Sequence, residues 1–557
     1  MHLSYDEKSD RIVYAANRSI YLRSVENPEQ SVQYSKHTFP TSVAKFSPSG
    51  FYIASGDIGG NVKIWDAVGE EMVTKGEYQI ISGRINDLEW DADSQRIIAV
   101  GDGKERFGHC FTYDSGNSVG EITGHSEQAN AVSIRPIRPY RAATVSDDSN
   151  LIFYHGPPFK FALSHKDKHT NFVHDVRFSP DGQHILSVGA DRKIALYDGK
   201  TGDFVSFIEN SHQGSIFSVA WSPDSKQFVT ASADSTVVLW DIESKKSVKH
   251  WSFEKTLENQ QVGVVFAGKF IISLSYSGDL HYLEESGDNV RIVKGHQKSI
   301  TALEVVDGLV YTGSYDGRIC KWVESKAELV ATHKGLVVGI TNTGHSISWD
   351  DTLRDLKVDK SLSLEGQPKG ISSNSNLIGI ITENSISLIE NNSILKSTSL
   401  EKSPTCIAVG SEYVAIGDAK NSVHLYDHSL THKFTLPGLQ SVPTILSFSQ
   451  NGQYLAAGDS SGKITLYSIP DKSVHTRRWA FHTSKVTSIA WHESGNYVVS
   501  GALDTSIIIY SVEKPSKNVK FLGAHTDGTN GVVWKSANEI VSAGADATVK
   551  TWKVELQ

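Results

Sequence analysis

Histidine, a hydroxyl residue and aspartate recur together along this chain, and these are the side-chain types of a nucleophilic catalytic triad. In one such set His212 lies 22 residues before Asp234, and Thr230 lies four residues before that aspartate. A triad of this kind activates a hydroxyl group for attack on a carbonyl carbon. An enzyme needs it once, whereas this chain repeats it, so the recurrence indicates a scaffold and predicts no catalytic residue.

Six sets share the order histidine, hydroxyl residue, aspartate and aromatic residue. Three of them end in tryptophan: His212, Thr230, Asp234 and Trp240; His296, Thr312, Asp316 and Trp322; and His525, Ser542, Asp546 and Trp552. The other three end in tyrosine: His125, Thr144, Asp148 and Tyr154; His169, Ser187, Asp191 and Tyr197; and His482, Ser500, Asp504 and Tyr510. A buried imidazole needs a partner for each ring nitrogen. The pattern resembles WD-repeat proteins, and that resemblance implies a hydrogen-bonded chain in each repeat.

The elements around these sets are short strands separated by turns. The segments 173–198 and 217–241 each contain an apolar strand, a Ser-Pro-Asp turn, a second strand, an aspartate-led turn and a third strand that ends in an aromatic residue. Units of about 40 residues with this content are typical of propeller blades. The third strands end at these residues: Leu22, Trp65, Tyr113, Tyr154, Tyr197, Trp240, Leu283, Trp322, Leu356, Ile389, Tyr426, Tyr467, Tyr510 and Trp552.

Fourteen repeats divide most simply into two rings, because single propellers have about four to eight blades. The sequence therefore predicts an all-β fold of two seven-bladed WD-repeat propellers in tandem, with domains at 1–290 and 291–557. Rings of this type usually close with an extra N-terminal strand in the last blade. The first repeat's own strand begins at His2, so the closing strand is missing, is supplied otherwise, or precedes an N-terminally incomplete sequence. We expect an incomplete sequence.

Composition restricts the classes of function. The 557 residues carry a formal net charge of -9, which argues against a constitutive partner among nucleic acids or anionic membranes. Cys110, Cys320 and Cys406 are far apart, so neither a disulfide framework nor a metal site is predicted. No apolar run approaches the roughly 18 residues of a membrane span. We expect a cytoplasmic monomer that needs no cofactor.

More specific motifs lie between residues 101 and 172. The loop Lys104-Glu-Arg-Phe107, the segment Arg135-Pro-Ile-Arg-Pro-Tyr-Arg141 and the segment Gly156-Pro-Pro-Phe-Lys-Phe161 together resemble the actin-interacting protein one family. Further matches are Ser348-Trp-Asp-Asp-Thr-Leu353 and Arg478-Trp-Ala-Phe481. The resemblance covers nearly the whole chain. It implies a non-enzymatic regulator that binds actin filaments together with cofilin, promotes their severing and disassembly, restrains barbed-end regrowth and belongs to cortical actin structures.

Propeller geometry and this resemblance select the same candidate binding residues. In a WD blade the loop that enters the first strand and the loop between the second and third strands open on one face, so we expect loops from adjacent blades to gather there. The resemblance implies that Glu105, Asp147, Phe161 and Phe172 bind actin or cofilin, with Lys104 and Lys160 as neighbours. Aromatic anchors surrounded by charge suit an interface.

Other interpretations of the same residues stay open at this point. Phe161 and Phe172 would equally serve packing between blades, as would Phe159, and Glu105 and Asp147 would equally be solvated loop charges. Two other functions also remain: a general scaffold, such as a substrate receptor of a ubiquitin ligase, and a propeller enzyme with polar or metal-binding residues in a central channel. Nothing in the sequence assembles the residues for the latter.

Overall fold

The computed structural model describes residues 2–69, 71–104, 106–209, 212–287, 289–323, 326–400 and 402–556. In these ranges the regular structure consists of strands, arranged in fourteen sheets. The chain divides into two compact units, residues 1–293 and 294–557. The predicted fold class is confirmed: the protein is all-β and contains tandem WD-type propellers.

Each sheet of unit 1 contains four strands that follow one another in the chain. The strands are β1 (Ser4–Asp6), β2 (Arg11–Ala16), β3 (Ser19–Ser24) and β4 (Ser31–Tyr34); β5 (Thr41–Phe46), β6 (Tyr52–Asp57), β7 (Asn61–Asp66) and β8 (Thr74–Gln79); β9 (Ile85–Trp90), β10 (Arg96–Gly101), β11 (Gly108–Thr112) and β12 (Ser118–Glu121); β13 (Ala129–Ile134), β14 (Arg141–Ser146), β15 (Leu151–His155) and β16 (Lys160–His165); β17 (Val173–Phe178), β18 (His184–Gly189), β19 (Ile194–Asp198) and β20 (Phe204–Ile208); β21 (Ile216–Trp221), β22 (Gln227–Ser232), β23 (Thr236–Asp241) and β24 (Lys246–Ser252); β25 (Gln261–Ala267), β26 (Phe270–Ser275), β27 (Leu280–Leu283) and β28 (Asn289–Val293).

Unit 2 repeats this arrangement, and its last sheet has three strands within the described residues. The strands are β29 (Ile300–Val306), β30 (Leu309–Ser314), β31 (Arg318–Val323) and β32 (Lys326–Thr332); β33 (Val337–Ile340), β34 (His345–Ser348), β35 (Thr352–Asp355) and β36 (Lys360–Ser363); β37 (Gly370–Asn374), β38 (Leu377–Ile381), β39 (Ser385–Glu390) and β40 (Ser393–Ser399); β41 (Pro404–Val409), β42 (Val414–Asp418), β43 (Val423–Tyr426) and β44 (His432–Thr435); β45 (Pro443–Phe448), β46 (Tyr454–Asp459), β47 (Ile464–Ser468) and β48 (Ser473–Trp479); β49 (Val486–Trp491), β50 (Tyr497–Ala502), β51 (Ile507–Ser511) and β52 (Asn518–Phe521); β53 (Thr529–Ser536), β54 (Glu539–Gly544) and β55 (Val549–Lys553).

The first strands of neighbouring sheets lie side by side and close each unit into a ring of seven blades. Within a blade all pairings are antiparallel, so the connections alternate between two faces. We call the face formed by the connections into the first strands and between the second and third strands the upper face. The remaining connections form the lower face. Loops from adjacent blades therefore meet on the same face of each ring.

The hydrophobic core lies between successive sheets. In unit 1, for example, Val188 and Leu196 of the fifth sheet pack with Val219 and Trp240 of the sixth. The strands contribute near-continuous buried runs, because each sheet is covered on both sides by its neighbours. The fourth strands are more exposed and form the outer wall.

Both rings close through side chains of their first and last sheets. In unit 1, Leu3 and Ile12 pack with Phe270 and Tyr282. In unit 2, Val310 of the eighth sheet packs with Val533 and Val541 of the fourteenth. Sheets 1 and 7 each consist of their own four consecutive strands, so unit 1 closes without exchange of a strand among the described residues.

The division between the units falls at the end of a blade. Residue 290, the predicted boundary, lies inside β28, which pairs with β27 in the seventh sheet. We therefore propose the domain boundary after Val293, where the contacts divide the chain.

One acidic side chain of unit 2 makes its stability depend on pH. Glu304 lies in β29, and burial raises the pKa of its carboxyl group to about 7, against one hydrogen bond from the Val305 amide that lowers it. The folded state therefore binds a proton more tightly than the unfolded state. This contribution to stability is present below pH 4.5 and is lost as the pH rises through about 7.

Replacement of Glu304 by glutamine is expected to stabilise unit 2 at about pH 8, by at most about 3 kcal/mol, with little change at about pH 5. The reason is that the amide removes the cost of a buried charge. Urea unfolding at the two pH values measures the effect, with the exposed Glu412→Gln as a matched control. An equal change in the free energy of unfolding at both pH values would contradict the raised pKa of Glu304.

Candidate functional site

The recurring histidine sets lie inside the blades as hydrogen-bonded chains. His212 Nδ1 is 3.0 Å from Asp234 Oδ2 and its Nε2 is 2.8 Å from Thr230 Oγ1. Trp240 Nε1 donates to the same hydroxyl oxygen at 2.9 Å. The set of His525, Ser542, Asp546 and Trp552 has the same geometry, with distances of 2.8 to 2.9 Å. These groups satisfy one another in the core, which makes them structural.

The set of His296 departs from this geometry. Its Nε2 is 2.6 Å from Thr312 Oγ1, and Trp322 Nε1 donates to that hydroxyl at 2.7 Å. His296 Nδ1 has no hydrogen-bond partner among the residues that the structure describes. The Asp316 carboxylate instead accepts from Ser314 and from the Arg318 backbone amide. Burial lowers the pKa of His296 to about 4.

Two further sets were missed in the sequence because their spacing is shorter. His37 contacts Asp57 at 3.0 Å and Ser55 at 2.7 Å, and Trp65 completes the chain. Asp57 follows Ser55 by two residues, whereas the aspartate follows the hydroxyl residue by four in the six predicted sets. His333 contacts Ser346 and Asp350 with a separation of 17 residues. A search that allowed a shorter step from the hydroxyl residue to the aspartate would have found the His37 set, and one that allowed a shorter hairpin between the first and second strands would have found the His333 set.

Asp147 lies on the upper face of the fourth blade, in the connection between β14 and β15. Gln128 Nε2 donates to its Oδ2 and Asn130 Nδ2 donates to its Oδ1, both at 2.7 Å. Both donors are neutral amides, so they orient the carboxylate without cancelling its charge. Asp147 interacts electrostatically with His174, but burial lowers the pKa of this imidazole, which is therefore neutral at pH 7.

Phe172 lies on the upper face of the fifth blade, at the end of the connection that enters β17. Its ring is 49% exposed, which is more than a packing role in the core requires. Its carbonyl oxygen accepts from the Ala190 amide at 2.8 Å, which fixes the backbone. Asn130 Nδ2 also donates to the carbonyl oxygen of the next residue, Val173, at 2.9 Å. One amide thus links the Asp147 carboxylate to the backbone of the residue that follows Phe172.

Lys104 lies on the same face in the neighbouring third blade. It is exposed, in the connection between β10 and β11, and its backbone amide donates to Ser82 Oγ at 3.2 Å. Glu105 follows it in this connection but lies outside the described residues.

Lys160 and Phe161 lie elsewhere on the fourth blade. They begin β16, where Lys160 pairs with His155 and Phe161 pairs with Tyr154, at the lower end of the outer strand. Phe161 is 51% exposed and its ring lies beside Gly124, on the outer wall between the third and fourth blades. Phe159, in contrast, is 2% exposed and belongs to the core. Lys104, Asp147 and Phe172 therefore lie in upper-face connections of blades three to five, whereas Lys160 and Phe161 lie in an outer strand, with the Phe161 ring against the connection that enters β13.

A second polar cluster lies among the first strands of unit 1. His2, Asp87 and Asp175 are buried, and their ligand atoms lie within 4.8 Å of one another, as in a metal site. The Arg177 guanidinium already binds all three: it lies 3.0 Å from Asp87 Oδ2, 3.0 Å from Asp175 Oδ1 and 2.9 Å from His2 Nδ1. Burial opposes the charged form of Asp87, but Arg177 and its neighbours outweigh it and lower the pKa. We interpret the cluster as a charge-compensated link between blades.

Two seven-bladed rings held by histidine, hydroxyl and aspartate chains define a double propeller of the WD-repeat class. The WD domain, G-beta repeat family matches residues 28–66, 162–198, 204–241, 287–322, 472–511 and 516–553. Among the described residues, no helix is long and apolar enough to cross a membrane.

The chain is similar along most of its length to named proteins. It is 38% identical to Actin-interacting protein 1 of Drosophila melanogaster over 88% of this chain and 84% of the relative. It is 34% identical to Actin-interacting protein 1 of Caenorhabditis elegans over 86% and 84%. An uncharacterized WD repeat-containing protein of Schizosaccharomyces pombe is 44% identical over 87% and 85%. The chain belongs to the actin-interacting protein 1 family.

Proposed function

We propose that this protein binds actin filaments together with cofilin, the actin-depolymerising factor, promotes the severing and disassembly of those filaments and restrains regrowth at their barbed ends. The observation that carries the proposal is the likeness, over 88% of the chain, to a relative named for its interaction with actin. It acts as a cytoplasmic monomer in cortical actin structures, by binding alone and without catalysis or a cofactor.

The upper face of blades three to five of unit 1 is the proposed contact surface. It offers an oriented carboxylate at Asp147, a half-exposed aromatic ring at Phe172 and the exposed Lys104. An apolar anchor beside charged groups is the usual composition of an energetically important interface centre. Lys160 and Phe161, on the outer wall, would contact the partner at the margin of this surface. Glu105, for which the resemblance implies a binding role, stays a proposed contact residue.

Differential affinity would convert binding into disassembly. A surface that fits a cofilin-decorated filament better than a bare one stabilises the decorated state, and it shifts the equilibrium by the difference in binding free energy. A protein that bound decorated and bare filaments equally well would not shift this equilibrium.

Cosedimentation with filaments tests this proposal. We expect the purified protein to sediment with cofilin-decorated filaments at a concentration at which bare filaments leave it in the supernatant. Equal partition with both kinds of filament would overturn the cofilin-dependent part. Absence from both pellets would overturn the proposal, and recovery of ubiquitin-ligase subunits from cytosol would then favour the scaffold alternative.

A further inference from the structure

A hydrogen bond between blades recurs at one position of the first strand. The side chain of the second residue in this strand donates a hydrogen bond to the backbone carbonyl oxygen of the first residue in the first strand of the next blade. The donor and acceptor pairs are Ser42 and Ile85, Asn86 and Ala129, Asn130 and Val173, Thr301 and Val337, Thr405 and Pro443, Thr444 and Val486, Thr487 and Thr529, and Asn530 and Ile300. We call this bond the latch.

The chemistry of the donor decides what else the latch residue can hold. A serine or threonine hydroxyl has one proton, so the latch uses its whole donor capacity. An asparagine amide has two N–H groups and can serve the latch and a second acceptor together. Asparagine at this position therefore indicates a second task.

Unit 1 has two latch asparagines, Asn86 and Asn130. The second N–H group of each takes part in a series of hydrogen bonds that leads to Asp147. Asn86 Nδ2 donates to Gln128 Oε1 at 3.2 Å, and Gln128 Nε2 donates to Asp147 Oδ2. Asn130 Nδ2 donates to Asp147 Oδ1. This series runs from blade three into blade four and ends on the Asp147 carboxylate, which Gln128 and Asn130 hold from two sides. Asp147 remains partly exposed.

We propose that Gln128 and Asn130 are positioning residues that hold the Asp147 carboxylate for a cationic side chain of the decorated filament. The inference rests on the function proposed above. A carboxylate fixed by neutral donors keeps its charge and loses little side-chain entropy on binding, which favours a lysine or arginine of the partner. The amide clamp, defined as Gln128 and Asn130, thus prepares one polar contact beside the Phe172 anchor.

The latch supplies a variant that separates the two tasks. Asn130→Thr introduces threonine, which makes the latch at positions 444 and 487, and it removes the N–H group that Asp147 accepts from. Asn530→Thr in unit 2 is the matched control, because Asn530 spends its second N–H group on Ser299. Gln128→Met removes the second hydrogen bond to Asp147, and Gln128 itself makes no latch.

The experiment measures the affinity for cofilin-decorated actin filaments by cosedimentation at several salt concentrations. We expect Asn130→Thr and Gln128→Met to weaken binding about fivefold with an unchanged melting temperature, and Asp147→Ala to weaken it about tenfold. The double variant Asn130→Thr/Asp147→Ala should bind as Asp147→Ala does, since both changes remove one contact. Affinity should depend less on salt in Asp147→Ala than in the unchanged protein. Asn530→Thr should have no effect.

The outcomes separate the two proposals. Wild-type affinity of Asp147→Ala would overturn this surface as the filament contact, and the inference with it. A weakened Asp147→Ala beside unaffected Asn130→Thr and Gln128→Met would overturn the positioning role alone. Full additivity in the double variant would also overturn it. If Asn130→Thr lowers the melting temperature, Gln128→Met decides the question.

Discussion

Phe172→Ala is expected to reduce cofilin-dependent filament disassembly by about tenfold or more while the melting temperature changes little. The side chain is 49% exposed, so truncation opens no cavity in the core. In an interface, loss of an aromatic anchor costs about 2 kcal/mol or more, and each 1.4 kcal/mol corresponds to a tenfold change in affinity. Filament length measured over time in the presence of cofilin gives the effect.

The matched control is Phe51→Ala. Phe51 is an equally large side chain in the same unit, 63% exposed, but it lies on the lower face between β5 and β6. It should leave disassembly unchanged. A parallel loss of melting temperature and activity in Phe172→Ala would assign this ring to packing, and an equal effect of Phe51→Ala would remove the reason to prefer the upper face.

Arg177→Ala is expected to destabilise unit 1 by about 3–5 kcal/mol, the largest effect on stability that we predict. The substitution leaves Asp87 and Asp175 buried without their common partner, and an uncompensated buried charge costs this much. Asp87 keeps Lys45 at 3.6 Å, a longer contact than the guanidinium provides. The guanidinium also donates to the Val132 carbonyl oxygen at 2.9 Å, so a link to the fourth blade is lost too.

Hydrogen exchange locates this effect. Amides of β9, β13 and β17 should exchange faster in Arg177→Ala, while those of unit 2 should keep their protection. The exposed Lys226→Ala serves as a control for the loss of one positive charge. Unchanged protection of these three strands would show that the cluster contributes little to the stability of the ring.

The sequence predicted most of the fold because each blade repeats the same local pattern. The strand triplets and the histidine sets have fixed spacing, so His212 and His525 could be paired with their partners from the sequence. His37 and His333 could not, since Asp57 follows Ser55 by two residues instead of four, and Ser346 follows His333 by 13 residues instead of 16 to 19. The position of Phe161 depends on the register of β16 against β15. The turn between these strands sets that register, and its geometry does not follow from the sequence.

The candidate site was predicted residue by residue, but its organisation was not. Gln128 and Asn130 carry no motif of their own, and their role depends on a carboxylate 17 to 19 residues further along the chain. Their role emerges from a comparison between blades: serine, threonine or asparagine occupies one structural position, and only the asparagine amide has a second N–H group to donate. That comparison requires the register of every first strand, which only the structure supplies.

Imaging of single actin filaments with cofilin tests the central claim most directly, with the unchanged protein compared with the double variant Asp147→Ala/Phe172→Ala. With the unchanged protein we predict frequent severing and little barbed-end regrowth. With the double variant we predict that filaments behave nearly as they do in cofilin alone. Severing by the double variant at the rate of the unchanged protein would contradict the assignment of the upper face of unit 1 as the filament-binding surface.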